Sequence, residues 1–155
     1  NILNMKEKYI GKKFNVRYLF FFIVVSFILN IIWENLQAPL YAGFTSFYDH
    51  FPMCLAGAIT DVFISLAALL FMVLIKRTSP LKFNKSDFII LAALGFIIAV
   101  AIEKNALLAG KWSYSGAMPL IPYLNVGFAP ILQMVFLLPL TFYLAQKLFW
   151  KAPRG

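Results

Sequence analysis

The chain has 155 residues, of which 62% are apolar and only 13% are charged, with a net charge of +8. A soluble domain of this size is about half apolar and about one quarter charged, so the apolar excess is too large for one aqueous core. The composition excludes an ordinary cytosolic enzyme, a disulfide scaffold and a disordered tail, and it indicates a chain that lies in lipid. The single cysteine, Cys54, has no partner for an intramolecular disulfide.

Four segments are long and apolar enough to cross the hydrocarbon core of a bilayer, which requires about 20 mostly apolar residues. In chain order they are residues 18–39, 52–75, 87–109 and 124–149. The first segment follows basic residues, as a signal peptide does, but it continues to Leu40 without a cleavage site of small residues. We therefore expect it to be retained. The fold class that follows is an all-α, polytopic membrane protein, a bundle of four transmembrane helices in one domain.

The basic residues predict how these helices are oriented. Twelve of the 14 Lys and Arg residues lie in the N-terminal arm, the connector 76–86 or the C-terminal tail, which share one side in a four-span chain. The excess of Lys and Arg on cytoplasmic loops predicts that both termini are cytoplasmic, in a multi-pass protein of the bacterial inner membrane. Attraction to the anionic headgroups of membrane lipids explains this charge better than nucleic-acid binding, which we do not expect. Only Lys104 and Lys111 fall on the opposite side.

Three acidic residues, Glu34, Asp61 and Glu103, lie inside predicted spans, each on a different helix. An ionisable group at such depth costs about 2.5–3.5 kcal/mol on insertion scales, so it usually faces protein or water rather than lipid. At 1.5 Å per residue the three acids lie roughly 7–13 Å below the outer helix ends. Gln133 on the fourth helix lies at a similar depth. We expect these four residues to form one site in the extracytoplasmic half.

The spacing of small and polar residues predicts which helix faces point inward. Residues three or four apart share one face of a helix, and small residues on that face let two helices approach closely in lipid. On the first helix such a stripe contains Ser26, Asn30, Trp33, Glu34 and Gln37. On the second helix it contains Cys54, Gly57, Asp61 and Ser65. On the third helix it contains Ala92, Gly95, Ala99, Glu103 and Ala106.

Carboxyl groups buried together favour proton chemistry, because one group holds a proton beside an ionised partner and acts as a general acid. We therefore predict Glu34, Asp61 and Glu103 as catalytic residues. The connector 110–123, with Trp112 and Tyr114, is expected to fold over the site as a lid. A single histidine, His50, and Cys54 do not make a metal site, and the residues indicate no particular cofactor. The predicted ligand-binding residues are Asn30, Trp33, Gln37, Lys104, Trp112, Tyr114 and Gln133.

Three interpretations of the acidic residues stay open at this point. The first is an enzyme that modifies a lipid-like or isoprenoid substrate by acid–base chemistry. The second is a small transporter or ion-binding protein, which with four spans would have to be a homo-oligomer. The third is an accessory subunit of a membrane complex, in which the acids only join helices, with Lys104 and Gln133 as their partners.

Two motifs resemble known families. The run Trp33-Glu34-x-x-Gln37-x-Pro39-Leu40-Tyr41, with Gly110-x-Trp112-x-Tyr114, resembles a family of small uncharacterised bacterial membrane proteins, which implies a shared four-helix fold. The spacing Glu103-x6-Gly110-x-Trp112-x-Tyr114 resembles a segment of membrane carotenoid hydratases and lycopene cyclases. That second resemblance implies an isoprenoid substrate whose double bond is protonated by acidic residues. The paired Glu-Glu motif of the cyclases is missing from this sequence.

Overall fold

A computed structural model describes residues 15–152 of the chain. These residues form four long helices: α1 (Val16–Gln37), α2 (Phe47–Lys76), α3 (Lys85–Leu108) and α4 (Phe128–Lys151). Each helix is long and apolar enough to cross a membrane. The prediction of an all-α, four-helix, multi-pass membrane protein is therefore confirmed. The orientation of the termini stays a prediction, and five of the twelve basic residues that support it lie outside the described residues.

Two of the helices begin several residues away from the start of the predicted span to which they correspond. Helix α2 begins at Phe47, before Pro52, because the Ser46 hydroxyl accepts a hydrogen bond from the Asp49 N–H and caps the helix. Pro52 then lies in the second turn, where it removes one backbone hydrogen bond without ending the helix. Helix α4 begins at Phe128 rather than at residue 124. The residues before it form a short antiparallel hairpin of β1 (Leu120–Ile121) and β2 (Val126–Gly127).

The helices are not all packed equally closely. Helix α1 packs along α2 and α4, and α3 packs along α4, whereas α2 and α3 make few close backbone contacts. Gly95 lies where α3 meets α4, and a Cβ atom on it would be only 2.4 Å from the carbonyl oxygen of Met134. The absence of a side chain at this position is therefore what lets the two backbones approach so closely.

The half of the bundle that contains the helix termini Val16 and Lys151 is apolar inside. Phe22 of α1 packs edge-on against Phe142 of α4 at 4.9 Å between ring centroids, and Phe83 stacks on the same ring at 5.8 Å. The Lys76–Asp87 ion pair, at 2.6 Å, joins α2 to α3 at this end. Fully buried side chains of this half are Tyr18, Phe22, Leu69, Met72, Leu91, Leu138 and Phe142. Apart from Asp87, the buried carboxyl and amide side chains lie in the other half: Asn30, Gln37, Glu103 and Gln133.

Candidate functional site

Gln133 of α4 lies at the centre of the polar half and is only 3% exposed. Its side-chain nitrogen is 2.7 Å from Asp61 Oδ2 and 3.0 Å from Glu34 Oε1. The same nitrogen is 3.0 Å from Asn30 Oδ1. One amide group therefore donates hydrogen bonds to residues of both α1 and α2. The structure brings these four predicted residues together, in agreement with the helical faces inferred from their spacing.

Gln37 extends this network along α1. Its side-chain nitrogen donates to Glu34 Oε1 at 3.0 Å and to Gln133 Oε1 at 2.9 Å. Its side-chain oxygen accepts a hydrogen bond from the Trp33 indole N–H at 3.2 Å. Glu34 Oε1 thus accepts hydrogen bonds from two amide groups, which fix the position of its carboxyl group. Trp33 contacts this network through Gln37 rather than through a carboxyl group.

Glu34 and Asp61 lie within hydrogen-bonding distance of each other, although both are acids. Gly57 of α2 makes room for this contact, because a Cβ atom there would be only 2.9 Å from Glu34 Oε2. Two carboxyl groups in contact share a proton, since both cannot ionise at that distance. No lysine or arginine in the part of the chain that the structure describes forms an ion pair with either group. A shared proton and amide N–H groups, rather than a cation, therefore stabilise this carboxyl pair.

Glu103 of α3 is 4% exposed and is held by the connector that follows its helix. Its Oε2 atom accepts hydrogen bonds from the Tyr114 hydroxyl and from the Trp112 indole N–H, the latter at 3.2 Å. The Tyr114 oxygen in turn accepts a hydrogen bond from the Gly127 N–H at 2.8 Å. Burial and the hydrogen bond to Glu103 raise the pKa of the Tyr114 phenol, so it stays a neutral donor. The connector 110–123 therefore anchors Glu103 as well as covering it.

Tyr41 is a residue of this site that the sequence analysis did not assign. Its backbone forms an antiparallel bridge with Tyr114, flanked by a hydrogen bond from the Ala42 N–H to the Ser113 oxygen at 2.9 Å. Its ring packs edge-on against Trp112 at 6.4 Å and lies 5.8 Å from the Tyr114 ring. The bridge ties the segment after α1 to the connector after α3.

The Tyr41 phenol is affected both by the Glu34–Asp61 pair and by Glu103. Burial raises the pKa of this phenol, and the charges of Glu103, Glu34 and Asp61 raise it further. The phenol therefore lies within electrostatic reach of all three acids. Tyr41 is the last residue of the motif that begins at Trp33, so this motif is a sequence signal that could have identified it. Its role depends on pairing with a segment more than 70 residues away, which spacing along one helix does not reveal.

Lys104 is the predicted site residue that the structure does not bring to the carboxyl groups. It is exposed, and it forms no hydrogen bond or ion pair with any residue from 15 to 152. Adjacent residues on a helix point about 100° apart, so Lys104 turns away from the face that carries Glu103. The expected contact between Lys104 and the acids is therefore wrong, whereas Gln133 is their partner as expected.

Two further features lie outside this network. A depression of about 370 Å³ is lined by apolar side chains of α1 and by Phe47, together with Asn35, on the outer surface of the bundle. Within residues 15–152, no three His, Cys, Asp or Glu side chains are grouped so that they could hold a metal ion.

The fold and the site together define a multi-pass membrane protein with a buried carboxyl–amide network in one half of its bundle. Comparison with protein-family models gives no match, and no curated protein and no solved structure is significantly similar to the chain. The two resemblances noted from the motifs stay predictions.

Proposed function

We propose that this protein is an enzyme of the bacterial inner membrane that acts on a lipid or isoprenoid substrate by acid–base chemistry. Glu34, Asp61 and Glu103 are the proposed catalytic residues, in the outer half of the membrane. The observation that carries the proposal is the contact between the Glu34 and Asp61 carboxyl groups, without an ion pair to a cation among the described residues. Intramembrane acids are expensive to bury, which favours a functional role over a purely structural one.

The Glu34–Asp61 pair is suited to give up a proton. When both carboxyl groups carry a proton, the pair can transfer one of them and keep the other shared between its two carboxyl groups. A positioned general acid of this kind contributes about 10²- to 10⁴-fold to a reaction rate. After the transfer, the negative charge left on the pair is stabilised by the N–H groups of Gln133 and Gln37. These two glutamines therefore hold the carboxyl pair in both of its protonation states.

Glu103 is suited to the complementary role. Its Oε2 atom accepts both connector hydrogen bonds, while Oε1 accepts none from the described residues. In the proposed step, the fully protonated carboxyl pair transfers one of its two protons to one carbon of a C=C bond, and the neighbouring carbon becomes positive. Glu103 stabilises that charge and then removes a proton from an adjacent carbon, so the double bond moves. The faces of aromatic rings such as Tyr41 and Trp112 also stabilise positive charge.

The rest of the bundle favours a lipid substrate over a transported ion. Within residues 15–152, the other half of the core is filled by apolar side chains such as Phe22, Leu69 and Phe142. No continuous polar path therefore extends through these residues from the carboxyl network. Helices α2 and α3 make few close backbone contacts, and we propose that a bilayer-dissolved molecule enters between them. Both observations support an enzyme rather than a transporter.

The test measures transfer of solvent protons to carbon. Purified protein is reconstituted into vesicles that contain a total bacterial lipid and isoprenoid extract, the vesicles are incubated in D₂O, and the extracted lipids are analysed by mass spectrometry. The wild type is expected to place deuterium on carbon in one lipid class. D61N and E103Q should lower the labelling rate at least about 100-fold, because each removes a reacting group.

D49N is the matched control, because Asp49 is an exposed carboxylate at the start of α2 that bonds only to Thr45 and Ser46. It should label lipid at the wild-type rate. Labelling by D61N and E103Q at the wild-type rate, or equal labelling in vesicles without protein, refutes the proposal.

A further inference from the structure

The end of the bundle opposite the carboxyl network has an excess of positive charge, and we call it the basic end. Asp87 is the acidic residue of this end among residues 15–152, and Lys76 neutralises it at 2.6 Å. The other cations of this end form no ion pair with the described residues. These other cations are Arg17, Arg77, Lys82, Lys85, Lys147 and Lys151.

Arg17 differs from the other cations because aromatic rings of two helices hold it. Its guanidinium carbon lies 5.9 Å from the ring centroid of Phe21 on α1 and 5.9 Å from that of Phe149 on α4. Both distances are within the range of a cation–π contact. Arg17 thus lies at the seam between α1 and α4, partly buried, with its guanidinium oriented by its surroundings.

The Arg17 guanidinium has hydrogen-bond donors that no described residue uses. A guanidinium has five N–H donors in a planar fork, whose geometry matches the oxygens of a phosphate. The hydrogen bond that Arg17 makes in the structure is through its backbone N–H, to Asn15. A partly buried charge in apolar surroundings is unfavourable unless its N–H donors have a hydrogen-bond acceptor.

We propose that the α1–α4 seam at the basic end binds the headgroup phosphate of an anionic phospholipid, with Arg17 as the phosphate-binding residue. The Phe21 and Phe149 rings beside Arg17 provide an apolar surface for the acyl chains of the same lipid. Lys147, whose ammonium lies 4.6 Å from the Tyr143 ring, and Lys151 lie on the same helix as Phe149 and favour a headgroup with net negative charge. General attraction between basic residues and the membrane surface explains the excess charge but not an arginine held between two rings.

This inference does not depend on the proposed enzyme activity, because the two sites lie in opposite halves of the bundle. The experiment uses the full chain in nanodiscs of phosphatidylcholine with and without phosphatidylglycerol. Lipid retention is measured by native mass spectrometry after transfer to detergent, and thermal unfolding is measured in the nanodiscs. The wild type is expected to retain phosphatidylglycerol and to unfold at a higher temperature when it is present.

R17Q should retain phosphatidylglycerol about tenfold more weakly, the effect of losing a charge-assisted hydrogen bond. R17K should also weaken retention, because lysine keeps the charge but not the planar fork. K104Q is the matched control, since Lys104 is an exposed cation in the other half of the bundle, and it should behave as the wild type. F149L keeps every charge but removes one ring, so it should weaken retention several-fold even if R17Q does not fold.

Three results would overturn the proposal. The first is that the R17K and F149L proteins both retain phosphatidylglycerol as strongly as the wild type. The second is that K104Q weakens phosphatidylglycerol retention as much as R17Q does. Either result would mean that charge alone attracts the lipid. The third is an equal rise in unfolding temperature when inorganic phosphate is added to phosphatidylcholine nanodiscs, which would mean that the site recognises free phosphate rather than a lipid.

Discussion

Replacement of Gln133 by leucine is the substitution that tests the carboxyl–amide network most directly. Leucine has a similar size but removes the hydrogen bonds from Gln133 to Asp61, Glu34 and Asn30 and the bond from Gln37 to Gln133. Hydrogen bonds between helices inside a membrane contribute about 0.6 kcal/mol each on average. The Gln133 amide has only two N–H donors for its three acceptors, so at most two donated bonds form fully at once, together with the bond that it accepts from Gln37. Their loss should therefore lower the free energy of unfolding by about 2 kcal/mol.

The measurement is reversible unfolding in mixed micelles with increasing SDS, followed by circular dichroism. Gln146 provides a matched control on the same helix, because its side chain donates to a single acceptor, the Pro80 carbonyl oxygen. Q146L should lower the free energy of unfolding by only about 0.6 kcal/mol. A double-mutant cycle of Q133L with D61N should be non-additive, since the two side chains are in contact at 2.7 Å.

Two outcomes would refute this reasoning. The first is a Q133L protein whose free energy of unfolding lies within about 0.5 kcal/mol of the wild type, which is the range expected for substitutions without an effect. The second is a loss in Q146L as large as the loss in Q133L. In either case Gln133 would not be the residue that joins the helices of the polar half.

Two other predictions concern packing and pH. G95A should destabilise the bundle by about 1–3 kcal/mol, because the new Cβ would lie 2.4 Å from the Met134 carbonyl oxygen, whereas G116A, with nothing within 4 Å, should be neutral in the same unfolding assay. Equal effects of the two substitutions would contradict this account. The pKa of the Tyr114 phenol is raised in the folded protein above its value of about 10 in the unfolded chain. The contribution of Tyr114 to stability is therefore complete below about pH 10 and is lost as the pH rises through the raised pKa. Y114F should therefore lose less stability than the wild type in alkaline unfolding experiments, and coincident pH profiles would count against the contribution of Tyr114.

Much of the polar network was predictable from single helices. Glu34 and Gln37 lie three residues apart, so they share a face of α1 whatever the other helices do, and the structure joins them by a hydrogen bond of 3.0 Å. The insertion cost of an acid predicted that Asp61 and Glu103 face the protein interior. Glu103 is indeed buried, and Asp61 contacts Gln133 of α4.

Lys104 and Tyr41 show where this reasoning stops. Lys104 was expected near the acids because it is close to them in sequence and depth, but its direction around the helix axis takes it away from Glu103. Tyr41 was named only as the last residue of a motif, yet its backbone pairs with Tyr114 and its phenol lies near all three acids. The depth of a residue along its helix therefore does not predict its contacts unless its direction around the helix axis is also known. Neither quantity predicts a contact that depends on the pairing of segments far apart in the sequence.

The sequence by itself determined that this chain crosses a membrane four times and that its buried acids face inward. Both properties follow from local quantities, namely the length of apolar runs and the spacing of residues around one helix. Only the tertiary structure decided that Glu34 contacts Asp61 and that Glu103 is held by the connector after α3. These contacts depend on which helices are neighbours and on how close they come, as at Gly57 and Gly95. That information belongs to the packing of the whole bundle and not to any one segment.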